Sequence, residues 1–365
     1  MAFFFFITVG SYSNSLLLIY QNGKYGFVDT FGSVVIQPQF DFAKEFNENR
    51  AEIGKISEPS LDTLASGSSV KYGFIDNFGE FTASLIYDEV KGYKNGYARV
   101  RIGQKWGYID YDGKLVISSI FDDAWDFYED RALAYANGKF GYIDRSGKFI
   151  IPAIYDGGDH FGSGLAPVKK NGKWGYIDKN GKIASRFMFN RAKRFSYGLA
   201  RVKIDKYWGF INEKCLLVVE PKFSKAEDFD ESHYSLVYYH KKWGAINTKG
   251  EYVIPSIYDE IKSYGDGLFP VKLRKKWGYV DNNNVLKIPF LYEKGNPFSE
   301  GYAAVEINKL WGFLDTYGKV AVTPRYGYVS QFKNGIAQIR EGKAFERYFG
   351  YIDKNGKIIW KFENK

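Results

Sequence analysis

The stretch Gly172-Lys173-Trp174-Gly175-Tyr176-Ile177-Asp178-Lys179-Asn180-Gly181-Lys182 decides the fold, because its landmarks recur along the chain. The central landmark is an aromatic residue followed by glycine, which we call the anchor pair, and Asp or Asn lies three residues after the glycine. Most neighbouring anchor pairs are 34 residues apart, and a fixed period of this length is typical of repeat proteins. The ten anchor pairs are Tyr25-Gly26, Tyr72-Gly73, Trp106-Gly107, Phe140-Gly141, Trp174-Gly175, Trp208-Gly209, Trp243-Gly244, Trp277-Gly278, Trp311-Gly312 and Phe349-Gly350.

Two further aromatic landmarks keep the same period. One lies fourteen residues after each of the first nine anchor glycines, as Tyr155 does after Gly141. The other opens each unit, as Phe161 does, and a Gly-Leu-Ala-x-Val-like stretch follows it. Over about residues 12–365 these landmarks resemble the bacterial WG-repeat (KWG) family. The resemblance implies a bacterial binding or scaffold protein, often at the cell envelope, and it implies no enzyme.

Each unit is predicted to form three antiparallel strands. Leu165–Lys170 and Lys173–Asp178 flank Asn171-Gly172, which is a strong signal for a two-residue hairpin. The Asp-Lys-Asn-Gly sequence that ends the second strand suits a type I turn. A third strand follows, as at residues 148–151, and proline often closes it. No stretch keeps a helical period of apolar residues, so helix should be minor.

The predicted fold class is therefore all-β. We expect an open array, like a solenoid or superhelix, of ten three-stranded antiparallel units of about 34 residues. The alternative is a closed ring that resembles a β-propeller. No change in composition separates one block from another, so residues 1–365 are predicted to be one array. Its approximate units are 12–45, 46–92, 93–126, 127–160, 161–194, 195–228, 229–263, 264–297, 298–331 and 332–365.

The anchor glycine occurs in all ten units, which calls for a physical reason. Glycine inside a strand usually marks the close approach of another group, and we expect an aromatic ring from a neighbouring unit to lie over it. Strand alternation places Trp174 and Tyr176 on one face and Gly175 and Ile177 on the other. The resulting aromatic stripe is interpreted first as core between units. Its alternative role is an exposed surface that stacks on sugars.

Composition and the start of the chain limit the class of protein. The single cysteine, Cys215, excludes an intramolecular disulfide. The opening apolar residues 1–9 are too short for a signal peptide or a membrane span. We expect them to form an extra strand or cap, and the alternative is the remnant of an export signal. The expected location is cytoplasmic by default, or the cell envelope if the true start lies upstream.

No residues suggest a catalytic or metal site. Acidic residues recur at the turn position in eight units, which turn formation explains, with a calcium ladder as the alternative. His160, His233 and His240 fall at unrelated positions in their units. The irregular segments, 54–69 and 342–347, contain neither a phosphate-binding glycine loop nor a nucleophile motif, and 54–69 is predicted to be an exposed loop. We therefore expect no enzyme activity, no cofactor and no metal.

Charge gives the one departure from the repeat. Residues 182–206 contain eight basic residues and a single acid, whereas residues 122–130 contain five acids. With a net charge of +9, this local polarity favours a partner with an acidic surface over a general nucleic-acid groove. The candidate partner-binding residues are Arg186, Arg191, Lys193, Arg194, Arg201 and Lys203, of which the first four are expected to be solvent-exposed.

The predicted function is that of a non-catalytic repeat scaffold which binds another protein through an extended face. The alternative is a module that binds cell-wall glycan through the aromatic stripe. Lysine precedes seven anchor pairs, and we interpret these lysines as protection of strand edges against pairing with other chains. We further expect a monomer, no specific nucleic-acid binding and no transmembrane segment.

Overall fold

The computed structural model describes residues 16–56, 69–341 and 349–362. The chain divides into two compact units, Met1–Tyr93 and Lys94–Lys365, and each is described by itself. All regular structure in the described residues is β, and they contain no helix. The predicted cap at residues 1–9, most of the predicted loop at 54–69 and the extra residues 342–347 lie outside the described residues.

The first unit contains two sheets, with strand orders β1-β2-β3 and β4-β5-β6-β7. We number the sheets 1 to 10 in chain order. A further strand, β8 (Glu89–Lys94), ends at the boundary between the two units and belongs to sheet 3. The strands of sheets 1 and 2 are β1 (Leu17–Gln21), β2 (Lys24–Val28), β3 (Val34–Phe40), β4 (Phe42–Ala43), β5 (Ala51–Ile56), β6 (Val70–Ile75) and β7 (Phe81–Tyr87).

The second unit holds the remaining strands, which follow the chain in antiparallel four-stranded order within each sheet. Sheet 3 contains, besides β8, the strands β9 (Tyr97–Ile102), β10 (Lys105–Ile109) and β11 (Leu115–Phe121), and sheet 4 contains β12 (Asp123–Tyr128), β13 (Arg131–Ala136), β14 (Lys139–Ile143) and β15 (Phe149–Tyr155). Sheet 5 contains β16 (Gly157–Gly158), β17 (Leu165–Lys170), β18 (Lys173–Asp178) and β19 (Ile183–Phe189), and sheet 6 contains β20 (Arg191–Ala192), β21 (Leu199–Ile204), β22 (Tyr207–Asn212) and β23 (Leu217–Phe223). Sheet 7 contains β24 (Lys225–Ala226), β25 (Tyr234–Tyr239), β26 (Lys242–Asn247) and β27 (Tyr252–Tyr258), and sheet 8 contains β28 (Glu260–Ile261), β29 (Phe269–Leu273), β30 (Lys276–Val280) and β31 (Leu286–Tyr292). Sheet 9 contains β32 (Lys294–Ser299), β33 (Tyr302–Ile307), β34 (Leu310–Asp315) and β35 (Val320–Tyr326), and sheet 10 contains β36 (Tyr328–Val329), β37 (Ile336–Arg340), β38 (Phe349–Asp353) and β39 (Ile358–Lys361).

The repeating sheet has four strands, so the prediction of three-stranded units was wrong. The hairpin and its two strands are confirmed, since β17 and β18 have the predicted bounds. The missed strand is the first of each sheet, which is often only two residues long, as in β16. Successive four-stranded antiparallel sheets are the building blocks of β-propellers. The sheets therefore match the propeller-like alternative and not the open array that we placed first.

The hydrophobic core lies between consecutive sheets, as predicted. In sheet 5, Tyr176 packs in a cluster with residues of sheet 6, and the neighbouring Ile177 packs in a cluster with residues of sheet 4. Both side chains are fully buried because a sheet covers each face. The residue after the anchor glycine contacts the aromatic that opens the next unit, with ring centroids 4.4 to 5.2 Å apart. These pairs are Tyr108–Phe127, Tyr142–Phe161, Tyr176–Phe195, Phe210–Phe229, Tyr279–Phe298 and Phe313–Phe332.

The anchor glycine is required by the close approach of backbone atoms. We expected an aromatic ring from a neighbouring unit at this place, and that expectation was wrong. In sheet 5 the pairing of β18 with β19 shifts register around Gly175, so β19 bulges. A Cβ placed on Gly175 would lie 2.9 Å from the carbonyl oxygen of Ser185 and 3.1 Å from that of Arg186. Proline often lies within this bulge, as Pro152 does in the middle of β15, and the strand continues beyond it. The fourth strand therefore does not end at proline.

The turn before the last strand is formed as predicted in every sheet. Asp178 Oδ1 accepts hydrogen bonds from the backbone N–H groups of Asn180 and Lys182, both at 2.9 Å. The equivalent Asp or Asn makes the same two bonds in the other nine sheets. Cys215 stands where most turns have glycine and adopts a positive φ of 59°. Turn formation thus accounts for the recurring acidic residues.

Candidate functional site

Five of the seven lysines before the anchor pairs form an ion pair with a residue that we call the connector, which follows the last aromatic of the fourth strand. Lys139 Nζ lies 2.6 Å from Oδ1 of the connector Asp156, and Oδ2 of Asp156 accepts the N–H of Asn171 at 2.9 Å. Because Lys139 belongs to sheet 4 and Asn171 to the hairpin of sheet 5, this ion pair joins neighbouring sheets. The main contact of these lysines is therefore an ion pair within the chain, and protection of strand edges is not their main role. The same pair forms at Lys24–Asp41, Lys71–Asp88, Lys105–Asp122 and Lys242–Asp259.

These ion pairs make a prediction for acid stability. The hydrogen bond from Lys105 lowers the pKa of Asp122, and Lys139 and Lys242 do the same for the pKa of Asp156 and Asp259. A lowered folded-state pKa contributes stability above the unfolded value of 3.8, and this contribution is lost as the pH falls through the folded-state pKa. Changing all three aspartates to Asn should lower the melting temperature at pH 7 and reduce its further fall below pH 4.

The control for that experiment is Asp112→Asn, a change of the same kind in an exposed turn of sheet 3. It should leave the melting temperature nearly unchanged at both pH values. Equal acid sensitivity in the triple variant and the parent chain would show that the connector pairs contribute nothing to stability.

The acidic residues of 122–130 are bonded within the fold. Asp126 pairs with Arg99 at 2.7 Å, and Asp130 pairs with Arg145 at 2.8 Å, which lowers the pKa of Asp130. Glu129 Oε2 accepts the N–H of Gly164 at 2.9 Å and lies 3.2 Å from Lys179 Nζ. Asp122 is a connector, as shown above, and Asp123 Oδ1 accepts the N–H of Ala124 at 2.8 Å. This segment is therefore largely neutralised by its own chain.

The six candidate basic residues do not form one cluster. Arg186 is exposed on β19, the outer strand of sheet 5, whereas Arg191 is exposed on β20, the first strand of sheet 6. Lys193 and Arg194 are half-buried, which differs from the exposure that we expected. Lys193 accepts the hydroxyl of Tyr176 on its carbonyl oxygen at 2.6 Å. The guanidinium of Arg194 lies 5.5 Å from the ring centre of Tyr128.

The structure brings Arg201 and Lys203 together over Trp208 in sheet 6, and Arg191 lies opposite Lys203. Arg191 faces Lys203 across the β20–β21 pair, and Lys203 faces Trp208 across the β21–β22 pair. The charged groups of Arg201 and Lys203 lie 5.2 and 5.7 Å from the ring centre of Trp208. Arg201 is also bound to Asp228 at 2.6 Å, so its charge is balanced within the fold. Arg191 and Lys203 are the candidates whose charges face each other.

The aromatic stripe is mostly part of the core. The ring of Trp277 is 3% exposed and that of Trp106 is 8% exposed, while the other six anchor aromatics of the second unit are half-buried. Lysine or arginine side chains lie over five of the six anchor tryptophans between Trp106 and Trp311. The burial of the anchor aromatics agrees with the first of our two interpretations, in which the stripe forms the core between units.

The three histidines make separate ring contacts. His160 packs on Tyr128, His233 on Tyr197 and His240 on Tyr239. Burial lowers the pKa of His160. Within residues 16–56, 69–341 and 349–362, no three His, Cys, Asp or Glu side chains are placed to hold a metal ion. The same ranges contain no helix of the length and apolarity that crossing a membrane requires.

The anchor pairs, the turns and the sheets repeat with the same period, and a known family model matches the chain at that period. The profile described as "WG containing repeat" matches residues 25–55, 72–106, 106–140, 140–174, 174–208, 208–242, 243–277, 277–311 and 311–343. The chain belongs to the WG-repeat family. No curated protein sequence matches this WG-repeat chain.

Solved structures support the fold assignment of the WG-repeat chain. A structure of the eukaryotic initiation factor superposes with a TM-score of 0.54 at 10% identity, covering 80% of this chain and 93% of that one. Hsv2 of Kluyvelomyces marxianus gives 0.30 at 10% identity, covering 73% and 88%. PorZ, a surface component of the type-IX secretion system of Porphyromonas gingivalis, gives 0.31 at 9% identity, covering 94% and 59%. At these identities the first match concerns the fold alone, and the other two add no argument.

Proposed function

We propose that this WG-repeat protein is a non-catalytic scaffold that binds a partner protein with an acidic surface. The observation that carries the proposal is the unequal use of charge in sheets 4 to 6. The acids of 122–130 are bonded to Arg99, Lys105, Arg145 and Lys179. Arg191 and Lys203, by contrast, face each other. An acidic surface would meet cations here that the fold does not neutralise.

The absence of catalysis is part of the same proposal. The turn aspartates hold backbone N–H groups and the connector aspartates hold lysines, so both sets have structural roles in many sheets. A catalytic site requires residues that depart from the repeat and bring complementary chemistry together. The departure in sheet 6 brings together cations and an indole ring, which suits binding an anion.

Glycan binding through the aromatic stripe is the second candidate. Stacking on a sugar requires an accessible ring face. The anchor tryptophans are half-buried or buried, and basic side chains lie over most of them. This arrangement favours the protein partner over the glycan.

The test is capture on the immobilised full chain from a lysate and, separately, from purified cell wall. We expect retained proteins to be acidic and to elute between about 0.1 and 1 M salt, because the screening length falls from about 10 Å to about 3 Å over that range and contacts between exposed charges weaken. Reversal of the candidate charges, Arg191→Glu with Lys203→Glu, should abolish the retention. Retention on wall material that free sugar competes away would instead establish the glycan function.

A further inference from the structure

The repeat provides an internal comparison for the facing pair in sheet 6. In sheet 8 the equivalent residues, Glu260 and Lys272, form an ion pair at 2.5 Å, and in sheet 9 Lys294 pairs with Glu306 at 3.1 Å. Among the equivalent pairs between the first and second strands of sheets 2 and 4 to 10, Arg191 and Lys203 are the one pair of like charge. The remaining pairs are Phe42–Gly54, Asp123–Tyr135, Gly157–Lys169, Lys225–Tyr238 and Tyr328–Arg340. Like charges directly opposite each other destabilise a sheet.

The connector next to this pair departs from the repeat as well. Lys173 lies 3.5 Å from the side-chain oxygen of Asn190, which stands where five other lysines of this series meet Asp. Where the lysine is replaced, as by Tyr207, the acid is also replaced, here by Ser224. Only at Lys173, among the described sheets, is the acid lost and the lysine kept.

The two departures are adjacent. The N–H of Asn190 donates to the carbonyl oxygen of Lys203 at 2.8 Å, and Arg191 is the next residue in the chain. The Asn190 side-chain oxygen also accepts the N–H of Asp205 at 3.0 Å, which fixes the hairpin of sheet 6 beside it. The uncharged connector Asn190 is thus bonded to Lys173 through its side chain and to Lys203 through its backbone, and it precedes Arg191 in the chain.

We propose that Lys173, Arg191 and Lys203 form a binding site for the carboxylates of an extended acidic segment in the partner protein. This inference rests on the proposed function, and it specifies where the partner binds and which chemical groups make the contact. The partner's Asp and Glu side chains supply the negative charge that Asp156 supplies to Lys139, and that Glu306 supplies to Lys294, in other sheets. The partner thus completes in trans the ion pairs that the other sheets make within the chain.

The choice of carboxylate over other anions follows from this comparison. In five equivalent pairs of other sheets, an Asp or Glu carboxylate oxygen of the chain itself lies about 2.5 to 3.1 Å from a lysine nitrogen. The lysines at these positions of the repeat therefore take a carboxylate as their ordinary partner.

The test uses two substitutions that make sheet 6 like its neighbours. Asn190→Asp supplies the connector acid to Lys173, and Lys203→Glu gives Arg191 an opposite partner. Binding of a fluorescent peptide of alternating Glu and Ser to the full chain is followed by anisotropy at low ionic strength. We expect each substitution to weaken binding about fivefold and the two together about tenfold or more. The melting temperature should stay the same or rise, since both changes restore ion pairs found in other sheets.

Matched controls separate the site from net charge. Asn212→Asp is the same change at the turn of sheet 6, and Lys249→Glu is the same change at an exposed turn of sheet 7. Both should leave the affinity within about twofold, because screening weakens the effect of distant exposed charges. The same peptide with Gln in place of Glu should not bind.

The outcomes distinguish the site from the function. If the parent chain binds the acidic peptide and the double variant binds it equally well, the site is wrong and the acidic-partner function stands. If the parent chain does not bind the acidic peptide, both are overturned. Binding of a phosphoserine peptide at least about tenfold more tightly than the Glu peptide would overturn the carboxylate assignment.

Discussion

Replacing Trp277 with Ala should lower the free energy of unfolding by about 3–5 kcal/mol, the usual range for removing a large buried aromatic side chain. The ring is 3% exposed and packs in the core between sheets 8 and 9. Lys262 Nζ lies 4.8 Å from the ring centre and donates to Asn296 Oδ1 at 2.7 Å. Removal of the ring therefore leaves a cavity beside a half-buried cation, whose pKa burial already lowers. Urea denaturation followed by circular dichroism measures the loss.

Trp243→Ala is the matched comparison, because Trp243 is the equivalent residue of sheet 7 and is half-buried. The cost should be clearly smaller than at Trp277, since part of the ring is in water before the substitution. Equal losses at the two positions would mean that ring burial does not set the contribution of the anchor aromatic. A loss near zero at Trp277 would contradict the placement of that ring in the core.

Much of the repeating unit could be predicted from the sequence because its signals are local. Asn171-Gly172 identifies the hairpin, and Asp178 with Gly181 identifies the turn, since each depends on residues within a few positions. The core between sheets could also be predicted, because a small β unit cannot bury its aromatic residues alone. These features are set by sequence neighbours or by the period.

The features that the sequence did not predict depend on tertiary pairing. The first strand of sheet 5 is Gly157–Gly158, which has no β-propensity and pairs only because β17 lies beside it. The bulge over Gly175 is a shift in register, and register is not visible in the composition of either strand. Without these two observations, a three-stranded unit with a ring over its glycine was the simpler interpretation.

The candidate site could be predicted in part. The excess of basic residues in 182–206 is visible in the sequence, but the separation of Arg186 from Arg191 requires the strand order. The connector ion pair was missed, although its signal is present: Lys and Asp recur seventeen residues apart, as in Lys139 and Asp156. With that spacing in view, Asn190 stands out in the sequence alone as the connector that lacks a charge although its lysine, Lys173, is kept.

The second large effect is expected at the anchor glycine of sheet 7. A Cβ placed on Gly244 would lie 2.5 Å from the carbonyl oxygen of Ile254 and 2.8 Å from the nitrogen of Ser256. Both atoms belong to the bulged fourth strand, β27, so the methyl group of Ala cannot be accommodated by rotating a side chain. The bulge must open or the strands must separate, and we expect Gly244→Ala to cost about 3 kcal/mol.

Gly175→Ala provides a graded control for this argument. The corresponding contacts in sheet 5 are 2.9 and 3.1 Å, so a shift of a few tenths of an ångström would relieve part of the overlap. The loss of stability, measured by urea denaturation, should therefore be smaller at Gly175 than at Gly244. The reverse order would show that closeness to the fourth strand is not what requires glycine. Such a result would mean that the requirement for glycine comes from the loss of backbone freedom or from packing against a neighbouring sheet.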